Sequence, residues 1–256
     1  MKLHQKRILI TGGGSGIGLE LARRLAEAND VVIAGRDTAK LDRARAATPA
    51  LRTLRLDVTS EQEARSAIDW LRSELGGLDL LINNAGVMRS YAISAPEAST
   101  ASVEDVEINL GGSIRMTRLT LPLLETAPES GVLFMSSAVA LGAVPGMAVY
   151  AATKAAVHSL AQSLRAELSD RAIRVFEVLP PVVDTAQAHD LDVAKISPAR
   201  VAETTLGGIT HNREEIRVGQ VRQLAPIARL APRLGDRILA RALEPPSTVG
   251  TNHRER

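Results

Sequence analysis

Six short runs of β-branched and aliphatic residues, at positions 7–11, 31–35, 51–56, 78–83, 131–136 and 174–179, alternate with stretches of helical character. That alternation constrains the fold more than any other feature. Parallel strands cannot be joined by a tight turn, and each connection needs a crossover of a dozen or more residues, usually a helix. The sequence therefore predicts repeated βα units and a doubly wound parallel sheet in a three-layer α/β/α domain over 1–244. The first helix carries Ile17, Leu21, Ala22 and Leu25 on one stripe. Ser60 and Glu63 form a capping box ahead of a pattern running to Leu75, and Ser197-Pro198 opens a later helix. A seventh strand is expected at 215–219, and 184–195 reads as a loop that could cover a pocket.

Directly after the first run stands Thr11-Gly12-Gly13-Gly14-Ser15-Gly16-Ile17-Gly18. Glycines between a strand and a helix permit a tight turn and let backbone N–H groups approach a pyrophosphate at the helix N-terminus. No Gly-Lys-Ser/Thr follows, so this is a dinucleotide turn of a Rossmann fold and not a P-loop. The second run ends in Gly35-Arg36, where an NAD site would hold an acid against the ribose hydroxyls. Arginine's fork suits a 2′-phosphate, which favours NADP(H) over NAD(H).

The bulk properties exclude several other classes. With 256 residues, 45% of them hydrophobic, the chain can bury one large core. A net charge of +2 and 2% aromatic residues leave neither the field nor the stacking surface for nucleic acid. Cysteine is absent, which rules out disulfides and thiol catalysis and fits a reducing compartment. The five histidines lack zinc-helix spacing, so no metal site is expected. No run is apolar enough for a signal peptide core or a membrane span, so the reading is a soluble, cytoplasmic protein.

Tyr150 has Lys154 four residues behind it. If 148–168 is helical, the two side chains share a face, and the ammonium would depress the phenol's pKa toward neutrality.

Together these features resemble the short-chain dehydrogenase/reductase superfamily, over nearly the whole chain to about residue 210. The resemblance rests on the turn Thr11 to Gly18, on Asn83-Asn84-Ala85-Gly86 after the fourth run, on Asn109, on Ser137 thirteen residues before Tyr150, and on Tyr150-x-x-x-Lys154. It implies carbonyl reduction, or the reverse oxidation of a secondary alcohol, by hydride transfer. Tyr150 would be the general acid/base, Ser137 would orient the substrate oxygen, and Lys154 would bond the nicotinamide ribose. Asn109 would hold a helix distortion and a water relay. The cofactor contacts it implies are Thr11, Gly12, Gly14, Ser15, Gly16, Ile17, Gly18, Arg36, Asp57, Val58, Asn84, Ala85, Gly86, Tyr150, Lys154, Pro180, Val183 and Thr185. It also implies a homodimer or homotetramer.

One departure stands at Leu179-Pro180-Pro181-Val182-Val183-Asp184-Thr185, where the family usually has Pro-Gly. Pro181 fixes φ where glycine would be free. This form resembles the branch labelled DltE-like, which implies a cell-envelope process. The alternatives to an enzyme are a non-catalytic nucleotide-binding regulator and such an envelope role. Val87, Met88, Val139, Leu141, Val144, Met147 and Val182 form either an apolar substrate pocket or ordinary core. Near 222–243 the pattern predicts one basic amphipathic helix, packed on the domain or a partner subunit or resting on a membrane surface. Positions 245–256 read as a flexible tail.

Overall fold

Ile8, Leu9 and Ile10 have no exposed surface, so the strand that carries them must stand inside a sheet covered on both sides. The computed structural model describes residues 1–243 and shows that sheet; the expected tail at 245–256 lies outside the described residues. Its strands are β1 (Arg7–Thr11), β2 (Asp30–Gly35), β3 (Arg52–Arg55), β4 (Leu80–Asn83), β5 (Ser130–Met135), β6 (Ile173–Leu179) and β7 (Glu215–Arg217). All pair in parallel in the order β3-β2-β1-β4-β5-β6-β7.

The helices between them are α1 (Gly16–Leu25), α2 (Thr38–Ala47), α3 (Glu61–Leu75), α4 (Ala98–Val106), α5 (Gly112–Leu124), α6 (Ala148–Glu167) and α7 (Pro198–Thr210). Alternation along the strands sorts them into two layers. Ile8 and Ile10 face a core shared with α1, α2 and α7. Leu9 faces a core shared with α3, α5 and α6. Local chemistry sets the starts: Ser60 accepts from Glu63 N at 3.2 Å and Ser197 from Arg200 N at 3.2 Å, the latter with Pro198 in the first turn. The Glu63 carboxylate reaches back to Asp57 N at 2.8 Å.

The single helix expected near 222–243 is two helices, α8 (Val221–Leu230) and α9 (Pro232–Leu243). Ala231 precedes a proline, whose ring disfavours helical backbone there, and it sits at φ −138, ψ 71. Pro232 then suits the start of a new helix. The hairpin buries Val221, Leu224 and Leu239 against Ala138, Val139, Val144, Met147 and Leu179, about 1.5–3 kcal/mol for each large side chain. Arg222, Arg229, Arg233, Arg237 and Arg241 stay exposed. No helix among the described residues is long and apolar enough to cross a membrane.

Candidate active site

Chain order reverses direction between β1 and β4: β1 continues toward β2, and β4 continues toward β5. A doubly wound sheet opens its cleft at such a point, over the carboxyl ends of the strands. Gly12 makes the turn out of β1 at φ 65, and a Cβ there would lie 2.8 Å from Ala85 Cα. Only glycine allows that crossing. Thr11 Oγ1 accepts from Asn84 N and Ala85 N, both at 3.1 Å, and Asn84 Nδ2 donates to Thr11 O and Gly12 O, both at 3.1 Å. These bonds stitch the two strand ends together beneath the cleft.

The cleft measures about 860 Å³. Gly12, Gly14, Ser15, Gly16 and Ile17 line its near wall, followed by Arg36, Asp57 and Val58 at one end. Asn84, Ala85 and Gly86 line its floor. Ser137, Tyr150 and Lys154 line the other end, with Pro180, Val183 and Thr185 along the far side. Three expected residues stand behind the surface instead. Thr11 is buried by its bonds to the β4 end, Gly18 packs against Asn84 and Gly12, and Asn109 is buried under Val87.

Arg36 leaves β2 into solvent, its side chain 57% exposed and its guanidinium 3.7 Å from the Asp57 carboxylate. Asp37, next in sequence, caps α2 by accepting from Lys40 N at 3.0 Å. Lys40 also lines the cleft, a contact the sequence reading missed; its spacing of four from Arg36 at a helix start was the available signal.

At the opposite end, Lys154 Nζ lies 5.8 Å from the Tyr150 ring centroid and donates to Met135 O at 2.7 Å. Burial lowers the Lys154 pKa to about 8, and burial raises that of Tyr150 to about 12, with Ser137 pulling the phenol the other way. The expected depression of the phenol by its neighbour is thus not found. Loss of water outweighs an ammonium that is aimed at a carbonyl. Ser137 follows β5, and its hydroxyl accepts from Val139 N at 3.4 Å at the start of a short 3₁₀ turn. Ser136, beside it, donates to Lys154 O at 3.2 Å.

Between α4 and α5 the backbone widens into a π turn, Glu107–Gly111, with Asn109 at its centre. The Asn109 amide accepts from Val87 N at 2.8 Å and donates to Val87 O at 3.0 Å and Thr153 Oγ1 at 3.2 Å. Gly86 fits tightly here, because a Cβ would lie 3.0 Å from Asn109 Oδ1 and 3.6 Å from Lys154 Nζ.

Pro181 does not break the far wall. Pro180 O accepts from Ala138 N at 2.8 Å, and Ile196 bridges to Val183 by donating its N–H to Val182 O at 3.0 Å and accepting from Asp184 N at 2.8 Å. Gln187, another missed residue, reaches from the 184–195 loop to donate to Gly86 O at 2.7 Å. Of the apolar candidates, Val87, Met88, Val139, Met147 and Val182 line the cleft. Leu141 and Val144 instead pack in the core beneath α8 and α9. The rest of the apolar wall comes from Val221, Leu224, Ile227, Ile238, Leu239 and Leu243, which sequence patterning could mark as amphipathic without saying what they faced. Among the described residues, no group of three or more acidic or histidine side chains could hold a metal ion.

A seven-stranded doubly wound sheet with a glycine turn at its switch point and a Ser, Tyr and Lys set at the cleft defines a class of dinucleotide-fold proteins. Comparison with known proteins narrows it. The short chain dehydrogenase family pattern matches residues 6–195. The chain is 33% identical to the "Uncharacterized oxidoreductase DltE" of Bacillus subtilis (strain 168) over 84% of its length and 89% of that protein's. It is 31% identical to an uncharacterized oxidoreductase of Staphylococcus aureus (strain MRSA252), over 81% and 92%. A Burkholderia cenocepacia J2315 short chain dehydrogenase, solved with NADP, superposes with TM-score 0.82 and 25% identity over 96% of this chain and all of that one. A Burkholderia phymatum short chain dehydrogenase/reductase, solved with NAD, gives TM-score 0.82 at 22% identity and supports the fold alone. The chain belongs to the short-chain dehydrogenase/reductase family of oxidoreductases.

Proposed function

We propose that the protein is an NADP(H)-preferring reductase of apolar carbonyl compounds, reversible as a secondary-alcohol dehydrogenase. The observation that carries this reading is one cleft with a glycine turn and Arg36 at one end and Ser137, Tyr150 and Lys154 at the other. The residues fit the cofactor. Gly12, at positive φ and against the Ala85 backbone, holds the turn that lines the cleft, and Arg36 with Lys40 supplies cationic donors for a 2′-phosphate. NADPH, when bound, supplies the hydride.

The chain's own residues do the remainder. Ser137 donates a hydrogen bond to the substrate carbonyl oxygen and fixes its position. The Tyr150 phenol gives that oxygen its proton, and in the reverse direction takes it back. Lys154, whose amine lies 5.8 Å from the Tyr150 ring centroid, is the donor for the nicotinamide ribose. Asn109 fixes the Val87 backbone against the π turn and so keeps α5, α6 and the floor in register. The walls of α8 and α9 keep water away and select apolar substituents.

Oxidation of NADPH over a panel of ketones and aldehydes tests the reading. Turnover that requires a carbonyl acceptor is expected, and tight NADPH binding with no turnover across the panel would replace the enzyme with a nucleotide-binding regulator. We assign homo-oligomer formation to the exposed apolar face of Val103 and Val106 on α4 and Ile114 on α5, which light scattering of the purified protein checks.

A further inference from the structure

Seven large hydrophobic side chains stand exposed among the described residues, and three of them, Leu230, Leu234 and Ile238, lie on the α8–α9 hairpin. Leu230, at the corner, is 84% exposed, more than any of the others. The apolar wall of the cleft uses the hairpin's inner face; the outer one has no partner among the described residues. Nothing in the hairpin can turn these residues inward. Gly235 packs on Ala228, where a Cβ would lie 2.8 Å from the Ala228 Cα, so the two helices cross at contact distance. Asp236 ties α9 to the segment after Ser137 by accepting from Ala143 N at 2.8 Å, and Leu224 and Leu239 already fill the space below. Burial of the outer leucines therefore needs a surface from outside.

The same stretch places an arginine directly ahead of each exposed aliphatic residue, in Arg229-Leu230, Arg233-Leu234 and Arg237-Ile238. Along α9 this spacing keeps Arg233, Arg237 and Arg241 in one row and Leu234 and Ile238 in the next. With Arg222 and Arg229 these arginines are exposed, and Arg222 and Arg237 donate to main-chain carbonyls, Arg217 O at 3.1 Å and Arg233 O at 3.2 Å. Asp236, the one acid of the hairpin, is engaged by Ala143 N. A second copy of the chain fits such a patch badly, because a two-fold contact sets a surface against itself and brings the arginine rows together. Charges around the exposed Val103, Val106 and Ile114 are instead matched, Arg89 lying 2.9 Å from Glu104 and Arg115 3.4 Å from Glu107. The sequence after Leu243 holds a single large aliphatic residue, Val249, and balanced charge, so it supplies neither the area nor the negative counterpart. An apolar row edged by arginines matches a bilayer interface, whose acyl boundary takes the aliphatic tips while anionic headgroups take the guanidinium groups. Ile238 also lines the cleft, so the row runs from the cleft's mouth to the corner at Leu230.

We propose that the α8–α9 hairpin docks the protein on an anionic lipid surface through Leu230, Leu234, Ile238 and the arginines beside them, with the mouth of the cleft against the bilayer. What enters from the lipid rests on the function proposed above; the docking does not. Co-sedimentation of the full chain with vesicles reads it without turnover. Vesicles of equal parts phosphatidylcholine and phosphatidylglycerol should retain the protein, phosphatidylcholine alone should not, and high salt should release it by screening the arginines. Arg233→Gln/Arg237→Gln should weaken vesicle binding about 25-fold, about fivefold for each charge removed, and Arg233→Lys/Arg237→Lys should restore it. Leu230→Ser/Leu234→Ser should weaken it about tenfold with net charge unchanged. Both pairs are exposed, so thermal unfolding should match wild type, and either pair carries the test should the other fail to fold. Arg43→Gln/Arg45→Gln removes the same charge from α2 and should leave binding within about twofold. No retention on the mixed vesicles overturns the proposal, and so does an equal loss from the α2 pair, which would leave only general attraction to a basic protein. Concentration-dependent self-association that Leu230→Ser/Leu234→Ser abolishes, without vesicle binding, would give the face to a second copy instead. Absence of carbonyl turnover with vesicle binding intact would strike the proposed function and leave the docking standing.

Discussion

On the wall formed by the β1–α1 turn and the end of β4, position is set by backbone: Thr11 and Asn84 exchange hydrogen bonds across the strand ends, and Gly12 holds a left-handed conformation. On the opposite wall, α8 and α9 lean over the cleft on Val221, Leu224 and Leu239, with Asp236 accepting from Ala143 N at 2.8 Å as a polar tie. Backbone bonds and a special φ tolerate almost no substitution, whereas apolar packing accepts changes of similar volume. The first wall can therefore stay constant while the second varies. Under the proposed function, nucleotide recognition and substrate choice become separable properties of one cleft.

The sharpest way to break that contrast is Gly12→Val. A side chain there meets the Ala85 backbone and forces an unfavourable φ, and NADPH affinity should fall at least about 100-fold, read by fluorescence titration. Retained affinity would mean that the first wall is as forgiving as the second.

Lys154 tests the polar end through pH. Its folded pKa of about 8 lies below the 10.5 of a free lysine, so its burial penalty is full below pH 8 and disappears as pH rises toward 10.5. Wild-type stability relative to Lys154→Met should accordingly rise over that window, by about 1–3 kcal/mol, in urea unfolding at a series of pH values. A flat difference would place the amine in water.

Arg36→Leu should reduce the NADPH to NADH ratio of kcat/KM about tenfold, through loss of a charge-assisted phosphate contact. An unchanged ratio, or a wild-type preference for NADH, would remove Arg36 from cofactor choice. On the other wall, Leu239→Ala should raise KM for bulky apolar ketones about fivefold and leave NADPH affinity within about twofold, the walls being independent. Loss of NADPH binding in that variant would show that they are coupled.

The same contrast governs what the sequence disclosed. β-branched runs, the Thr11–Gly18 turn and the Tyr150–Lys154 spacing report local requirements, because a strand, a turn or an i,i+4 pair is specified by neighbours in the chain, whereas Asn109 and Ser137 were marked by the resemblance to the family. The sheet and the cleft that gathers most of these residues were legible for that reason. The break at Ala231-Pro232 was visible as a proline, but an apolar stripe continuing across it read as one helix. Gln187, Lys40 and the α8–α9 lining come together only through tertiary packing, and no periodicity announces a partner. The phenol's pKa was misjudged for a related cause: spacing gave the proximity of Lys154, while its burial and its bond to Met135 O depend on β5.

Under the proposed function, Tyr150 moves the proton within the cleft that takes the dinucleotide. Its most direct test is Tyr150→Phe, assayed for carbonyl-dependent NADPH oxidation and, separately, for NADPH binding. The account predicts turnover reduced about 1000-fold with NADPH affinity within about threefold of wild type. A phenylalanine variant that turns over as fast as the parent would contradict it.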